Sequence, residues 1–348
     1  MQATKTKEAA SASGSVRVDL VGGTLDLDPI NLILPDVVTM NVATSLKAKV
    51  VLNKTNIEKV IILSKDYNKS YSFHRSDFTK DKLYQGEYFK EMTFVCQILD
   101  LFHINSHVQI ELSSGAPAGS GLGGSSAMGV TLYKALCEFT GKKLEIEEAV
   151  QRVKGCESRI LNQGVPGYQD YFPALSGGVL ALRGEPGRIA REQLFSEELK
   201  KFLEERVTLV FSGVSRNSGI NNWDVYKGFF DKDKSIRNSM QKIASVSSLA
   251  YGNLKKGDFE ALLGNISEEG KARESLAVGI TPIEIKNFYS KLSENFSGLG
   301  IKMCGAGGGG CFILTSLKKD QAAIKKAVIE NNMKVLDFFI DPPLQEKL

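Results

Sequence analysis

Glycine is the residue that most constrains this chain. Of its 33 glycines, six fall within residues 115–129 and seven within 298–310. The first window reads Pro117-Ala118-Gly119-Ser120-Gly121-Leu122-Gly123-Gly124-Ser125-Ser126, and the second contains Gly305-Ala306-Gly307-Gly308-Gly309-Gly310. Glycine loses more backbone freedom on ordering than any other residue, so clusters this dense mark places where backbone must approach a ligand closely. A structural bulge needs one or two glycines. Four in succession between the apolar flanks Ile301 and Cys311–Leu314 ask for another reason.

The pattern around these windows is mixed α and β. Residues 15–21, 43–52 and 60–64 read as strands, 94–102 as a helix and 107–112 as a strand. From Ser125 the apolar residues recur at helical spacing until Gly141, so strand, glycine loop and helix follow one another directly. A second helix is expected over 144–161 and short ones near 171–175, then a strand over 179–182. The segment 183–191, with Gly184, Pro186 and Gly187, is the best candidate linker. Beyond it a strand over 207–211, a largely helical stretch over 223–295, an interrupted strand over 300–314, a helix over 321–331 and a strand over 334–340 are expected. The domain reading is a disordered tail over 1–14, an N-terminal domain over 15–185 and a C-terminal domain over 186–348.

Composition excludes several classes. With 44 basic against 40 acidic residues the net charge is only +4, too even for a phosphate-backbone binder, so nucleic acid is not an expected partner. The cysteines Cys96, Cys137, Cys156, Cys304 and Cys311 are scattered and odd in number, which fits reduced thiols in a cytoplasm better than disulfides or zinc. No apolar run approaches the roughly 18 residues of a membrane span. A monomer or homodimer acting on a small molecule is the expectation.

A glycine loop that runs into a helix N-terminus is an anion site, because unpaired amides and the positive end of the helix dipole face the ligand together. Ser125 and Ser126 stand where hydroxyls could meet a phosphate or its Mg²⁺; the alternative is a serine N-cap. Gly119, Gly121 and Gly124 satisfy GxGxxG, but the helix is followed by a second helix where a dinucleotide fold needs a strand ending in an acid. No P-loop motif occurs either. Within the second helix, Glu157 projects about 20° from Ile146, inside the apolar stripe. A carboxylate on a buried face needs a partner, either a cation or a buried lysine or arginine.

Together with Arg17-Val-Asp-Leu-Val-Gly-Gly-Thr-Leu-Asp26, these windows resemble the three motifs of the GHMP kinases, in order and spanning residues 17–310. The resemblance implies an α+β, two-domain kinase: a β-rich N-terminal ATP-binding domain and a ferredoxin-like C-terminal domain, with ATP and acceptor in the cleft between them. It implies that the loop Pro117 to Ser126 cradles the triphosphate, that Ser126 and Glu157 hold Mg²⁺, and that Asp170, in Gly167-Tyr-Gln-Asp170, acts on the attacking hydroxyl. Arg17 corresponds to the family's basic residue near the transferred phosphoryl. Asp170's alternative is an N-cap for residues 171–175.

Two features are similar to the bacterial heptose-phosphate kinase and fucokinase branch. These are the long loop Gly121-Leu-Gly-Gly-Ser-Ser-Ala127 and the Gly22-Gly23-Thr24-Leu25-Asp26 opening followed by Pro29. By that likeness Gly23, Thr24, Asp26, Asp170, Arg216 (in Ser212-Gly-Val-Ser-Arg216-Asn-Ser218) and the loop Gly305-Ala306-Gly307-Gly308 meet a sugar or sugar-phosphate acceptor. Phosphorylation of an anomeric hydroxyl is expected, with a mevalonate-pathway enzyme or a non-catalytic sugar and ATP sensor as alternatives. Leu25 departs from the polar residue usual before that aspartate, which implies a different hydroxyl pattern.

Overall fold

The computed structural model describes residues 6–161, 166–214 and 222–345. The chain opens with β1 (Ala9–Val21), a short helix α1 (Ile30–Ile33), β2 (Thr39–Lys54), β3 (Lys59–Ser64) and β4 (Lys69–His74). There follow α2 (Lys80–Tyr84), α3 (Thr93–Asp100), β5 (Val108–Ser114), α4 (Gly124–Thr140), α5 (Ile146–Ile160), α6 (Phe172–Ser176), β6 (Val179–Glu185) and β7 (Arg188–Gln193). The second half contains α7 (Glu197–Arg206), β8 (Val207–Phe211), α8 (Asn222–Phe230), α9 (Lys234–Lys255), α10 (Phe259–Glu274) and α11 (Ile283–Ser293). It ends with β9 (Gly300–Met303), β10 (Cys311–Thr315), α12 (Gln321–Glu330) and β11 (Lys334–Leu336).

The organising strand is β2. Along one edge it pairs antiparallel with β1, from Ala9↔Asn53 to Val21↔Met40. Its other edge carries β5 at residues 48–54 and β6 at residues 39–42. Between them Thr44 bridges to Ile340, so a segment from the far end of the chain completes the edge. The sheet runs β4-β3-β5-β2-β6-β7, and β3 with β5 is its parallel pair. Val16, Val18, Leu20, Val42, Val50 and Leu52 are fully buried beneath α4 and its neighbours in the larger core.

The second sheet has the order β11-β8-β10-β9 and is antiparallel throughout. With helices after β8 and after β10, this is the split βαβ arrangement of a ferredoxin-like domain. Its core takes in Leu25, Leu27, Ile30 and Val37 from the first half, so the segment after β1 packs under the second domain.

Three expectations need correction. Residues 9–14 are not a loose tail: they form the first half of β1, paired to β2 through residue 53. The expected linker over 183–191 is the hairpin of β6 and β7, with Glu185↔Arg188 at its tip, so the first sheet extends past residue 185 to Gln193. Glycine and proline at a hairpin tip give the same composition as a linker. The last strand ends at Leu336; beyond it the chain leaves the second sheet for the first.

Candidate active site

The first glycine loop ends in α4, whose N-cap is Gly123 at φ 71 and ψ 26. No side chain caps the helix, so the alternative of a serine N-cap is not realised and the first-turn amides lack intrahelical acceptors. The second glycine loop packs on the first, backbone to backbone. A Cβ at Gly305 would lie 2.7 Å from the Gly121 carbonyl, and one at Gly310 would lie 2.6 Å from that of Gly119. Cys311 N–H donates to Ser120 O at 2.7 Å. This close approach accounts for glycine at Gly121, Gly305 and Gly310, in windows that lie on different domains.

Arg17, buried on β1, joins the loop to the aspartate segment. Its Nη1 donates to Gly121 O at 2.6 Å, while Nε and Nη2 both reach Asp170 Oδ1, at 2.8 and 2.6 Å. Asp170 also abuts Gly123, where a Cβ would come within 3.1 Å of its Cγ. Burial by itself lowers the Arg17 guanidinium, but the charges of Asp170 and Asp19 outweigh it and hold the group firmly protonated. No N-cap role for Asp170 is seen; α6 begins from Tyr171 without a side-chain cap.

Glu157 is buried, as its place on the α5 stripe implies. Ser126 Oγ and Tyr171 OH both donate to its Oε2, at 2.7 and 2.6 Å. Its described contacts are hydroxyls, not a lysine or arginine. Burial raises its carboxyl above the usual range, and the nearby Asp170 charge adds to this. Hard oxygen donors short of a counter-charge suit Mg²⁺, which takes one or two carboxylates and completes its shell with phosphate and water. The residues fit the ion.

Asp26 is also buried. Gln169 N–H donates to its Oδ2 at 2.8 Å, and Oδ1 has no hydrogen-bond partner, nor does Gln169 Oε1. Burial, reinforced by Asp170, pushes this carboxyl up to about 6. Gly167 sits against it, since a Cβ there would come 2.2 Å from Oδ2. Thr24 holds φ 73, a left-handed backbone that a β-branched residue seldom adopts, and Arg273 Nη1 donates to its hydroxyl at 2.9 Å. The neighbouring Leu25 is wholly buried in the second core. Its apolar side chain thus packs between the acceptor-side segment and the second domain.

Behind these groups lies a charge cluster that pattern reading missed. Lys302 Nζ donates to Asp19 Oδ2 and stands 3.7 Å from Glu269 Oε2, all three side chains being fully buried. Arg273 pairs with Glu269 at 2.5 Å and donates to Gly23 O at 2.8 Å. Glu269 accepts from Gly22 N–H at 3.1 Å, and Asp19 from Gly305 N–H at 3.2 Å. Burial alone would raise Asp19, but Lys302, Arg17 and Arg273 hold it down at about 2. The signal was present in the sequence as a lysine in the apolar run 299–304 and an i,i+4 Glu–Arg pair.

The structure thus gathers Arg17, Gly121, Gly123 and Asp170, pairs Ser126 with Glu157, and sets Gly23, Thr24 and Asp26 alongside. In the second loop, Gly305 meets Asp19, whereas Gly307 and Gly308 are tied to Ile280, the latter by its N–H at 2.8 Å. Arg216 lies outside the described residues. No described helix is long and apolar enough to cross a membrane.

Comparison with known proteins places matching segments in both domains. The family model described as GHMP kinases N terminal domain matches residues 88–178, and GHMP kinases C terminal matches 250–335. The chain is 26% identical over 252 residues to the L-fucokinase/L-fucose-1-P guanylyltransferase of Bacteroides fragilis, covering 69% of this chain and 25% of that one. It therefore spans a quarter of that relative's length. It is 25% identical over 301 residues to the D-glycero-alpha-D-manno-heptose 7-phosphate kinase of Campylobacter jejuni, covering 85% and 86%. Among solved structures, the mevalonate kinase of Methanococcus jannaschii superposes with a TM-score of 0.73 at 17% identity, covering 95% and 98%.

Proposed function

This chain belongs to the GHMP kinases, and from that premise we propose that it is an ATP-dependent kinase of a sugar or sugar phosphate, phosphorylating the anomeric hydroxyl. One observation carries the reading: the Arg17–Asp170 pair is fastened to the first glycine loop, through Gly121 O and against Gly123. A phosphate cradle with a fixed guanidinium and a carboxylate at its edge has the parts that phosphoryl transfer to a hydroxyl requires.

In this reading the amides of the loop 117–126 and the α4 N-terminus hold the triphosphate. Both Arg17 contacts with Asp170 fall on Oδ1, which leaves Oδ2 to accept the acceptor's hydroxyl proton as the oxygen–phosphorus bond forms. Arg17, locked in its protonated form, faces charge that grows on the transferred group. Ser126 and Glu157 would hold Mg²⁺, which when bound offsets the triphosphate's charge. Asp26, with an unpartnered oxygen beside Gln169, accepts hydrogen bonds from acceptor hydroxyls.

The sugar assignment is supported by the names of the Bacteroides and Campylobacter relatives, which specify L-fucose with its 1-phosphate and a heptose 7-phosphate. An ADP-release assay tests it with L-fucose, D-galactose, D-mannose, heptose 7-phosphate and mevalonate as acceptors. Turnover of a sugar, lost in Asp170→Asn, is expected; turnover of mevalonate alone would overturn the sugar reading.

A further inference from the structure

Helix α8 presents a row of aromatic rings beside the acceptor side of this site. Trp223, the chain's single tryptophan, is 40% exposed and stacks on Tyr226 with ring centroids 5.6 Å apart and planes 18° from parallel. Tyr226 in turn meets Phe230 at 4.9 Å, and Phe230 is 38% exposed. Spacings of three and four put all three on one helical face. Val225 and Phe229 are buried in the second core and Tyr226 packs against its edge, while Trp223 and Phe230 keep more than a third of their surface exposed.

The row is tethered to the acceptor segment. Tyr226 OH donates to the Asp28 main-chain carbonyl at 3.1 Å. Asp28 is two residues from Asp26, at most about 7 Å of chain. Its carboxylate accepts from Tyr168 OH and from Lys154 Nζ, and Tyr168 precedes Gln169 and Asp170. The rings are therefore fastened to the segment that carries Asp26, whose Oδ1 is buried without a partner.

We propose that Trp223, backed by Tyr226, forms a stacking platform for the C–H face of the acceptor's sugar ring, while Asp26 and Gln169 receive its hydroxyls; this rests on the sugar-kinase reading above. Trp and Tyr combine a flat apolar surface with few rotatable bonds, so they bind the apolar face of a rigid ring at low entropic cost. An open-chain acid such as mevalonate has no such face. The platform thus selects pyranose acceptors.

Because Trp223 is the single tryptophan, its fluorescence reports directly on this surface. The full-length protein is titrated separately with L-fucose, D-galactose, D-mannose, mevalonate and ATP. The sugar that is turned over should change Trp223 emission with saturation near its KM, whereas mevalonate and ATP should not. Trp223→Ala should raise the sugar KM about tenfold, the scale of one aromatic contact, with kcat and the ATP KM within about twofold. Trp223→Phe should recover most of the loss. Sugar turnover with unchanged emission and an unchanged KM in Trp223→Ala would overturn the platform while leaving the kinase reading intact, as would emission that answers ATP alone. A sugar that shifts Trp223 emission but is never phosphorylated would keep the platform and sink the kinase reading, and silence in both assays would sink both.

Discussion

Arg17 grips a single oxygen of Asp170, donating to it from Nε at 2.8 Å and pairing with it through Nη2 at 2.6 Å. The other oxygen makes none of the described hydrogen bonds. Such a pairing fixes the carboxylate in one orientation before any acceptor arrives, and the chemistry of the site turns on what that remaining oxygen does.

Asp170→Asn retains shape and the Arg17 contact on its amide oxygen but cannot take a proton. We expect kcat to fall by about 10²–10⁴-fold, with ATP affinity and unfolding midpoint nearly unchanged. A stable variant that keeps more than about a third of wild-type kcat, a loss far below the range for general base catalysis, would reduce Asp170 to a positioning group.

Ser126→Ala and Glu157→Gln each remove one oxygen donor from the pair that suits Mg²⁺. Each should raise the Mg²⁺ concentration for half-maximal activity and lower turnover. Equal Mg²⁺ dependence in wild type and both variants would move the metal elsewhere.

Lys302→Met leaves Asp19 buried without its nearest cation. The expected loss is about 3–5 kcal/mol in urea unfolding, and Asp19→Asn combined with Lys302→Met should recover part of it, because the stranded charge is then gone. If the double variant is as unstable as the sum of the singles, the pair is not coupled.

The two buried aspartates carry opposite pH signatures. Asp26 sits near 6, raised by burial, so between about pH 4 and 6 the native state binds more protons than the unfolded one and this residue's contribution falls as pH rises. Asp19 is held at about 2 by Lys302, Arg17 and Arg273 against the opposing effect of burial, and its contribution is lost as pH falls from about 4 toward 2. Asp26→Asn should thus gain stability relative to wild type from pH 4.5 to pH 7, while Asp19→Asn should lose less at low pH than at neutrality. Denaturant midpoints across pH measure both, and parallel curves for Asp26→Asn and wild type would contradict the first.

Gly119→Ala and Gly121→Ala separate backbone conformation from close approach. Both glycines have positive φ, but nothing lies within 4 Å of a Cβ at Gly119, whereas at Gly121 the Cys304 carbonyl is 2.8 Å away. We expect a cost of about 1 kcal/mol for the first and about 3 kcal/mol or more for the second. Equal costs would mean that the two loops yield to one another freely.

Much of this was legible in the chain itself. Local periodicity located α4, α5 and β8 within a residue or two, and the position of Glu157 on the α5 stripe anticipated its burial. The hairpin of β6 and β7 was hidden because turn residues look alike in a tip and a linker. Asp19, Glu269, Arg273 and Lys302 escaped because each is explained only by a partner far away in sequence. A single buried charge on an apolar pattern is visible as an anomaly, but its neutralising partner is a tertiary fact. The glycine windows announced a close approach without saying that the partner of each was the other.

The segment that completes the β2 edge has a consequence for how the protein is made. Ser45 N–H donates to Phe339 O, Asp341 N–H to Ala43 O, Gly178 N–H to Asp341 O, and Leu344 N–H to Ser176 O. The open middle of that edge is sealed by residues synthesised some three hundred positions after β2. A nascent chain leaving the ribosome holds a nearly finished first sheet with exposed hydrogen-bonding groups until those later residues have emerged. Expression of the first half alone should yield a sticky, poorly soluble product, because the piece that seals its sheet lies in the second half.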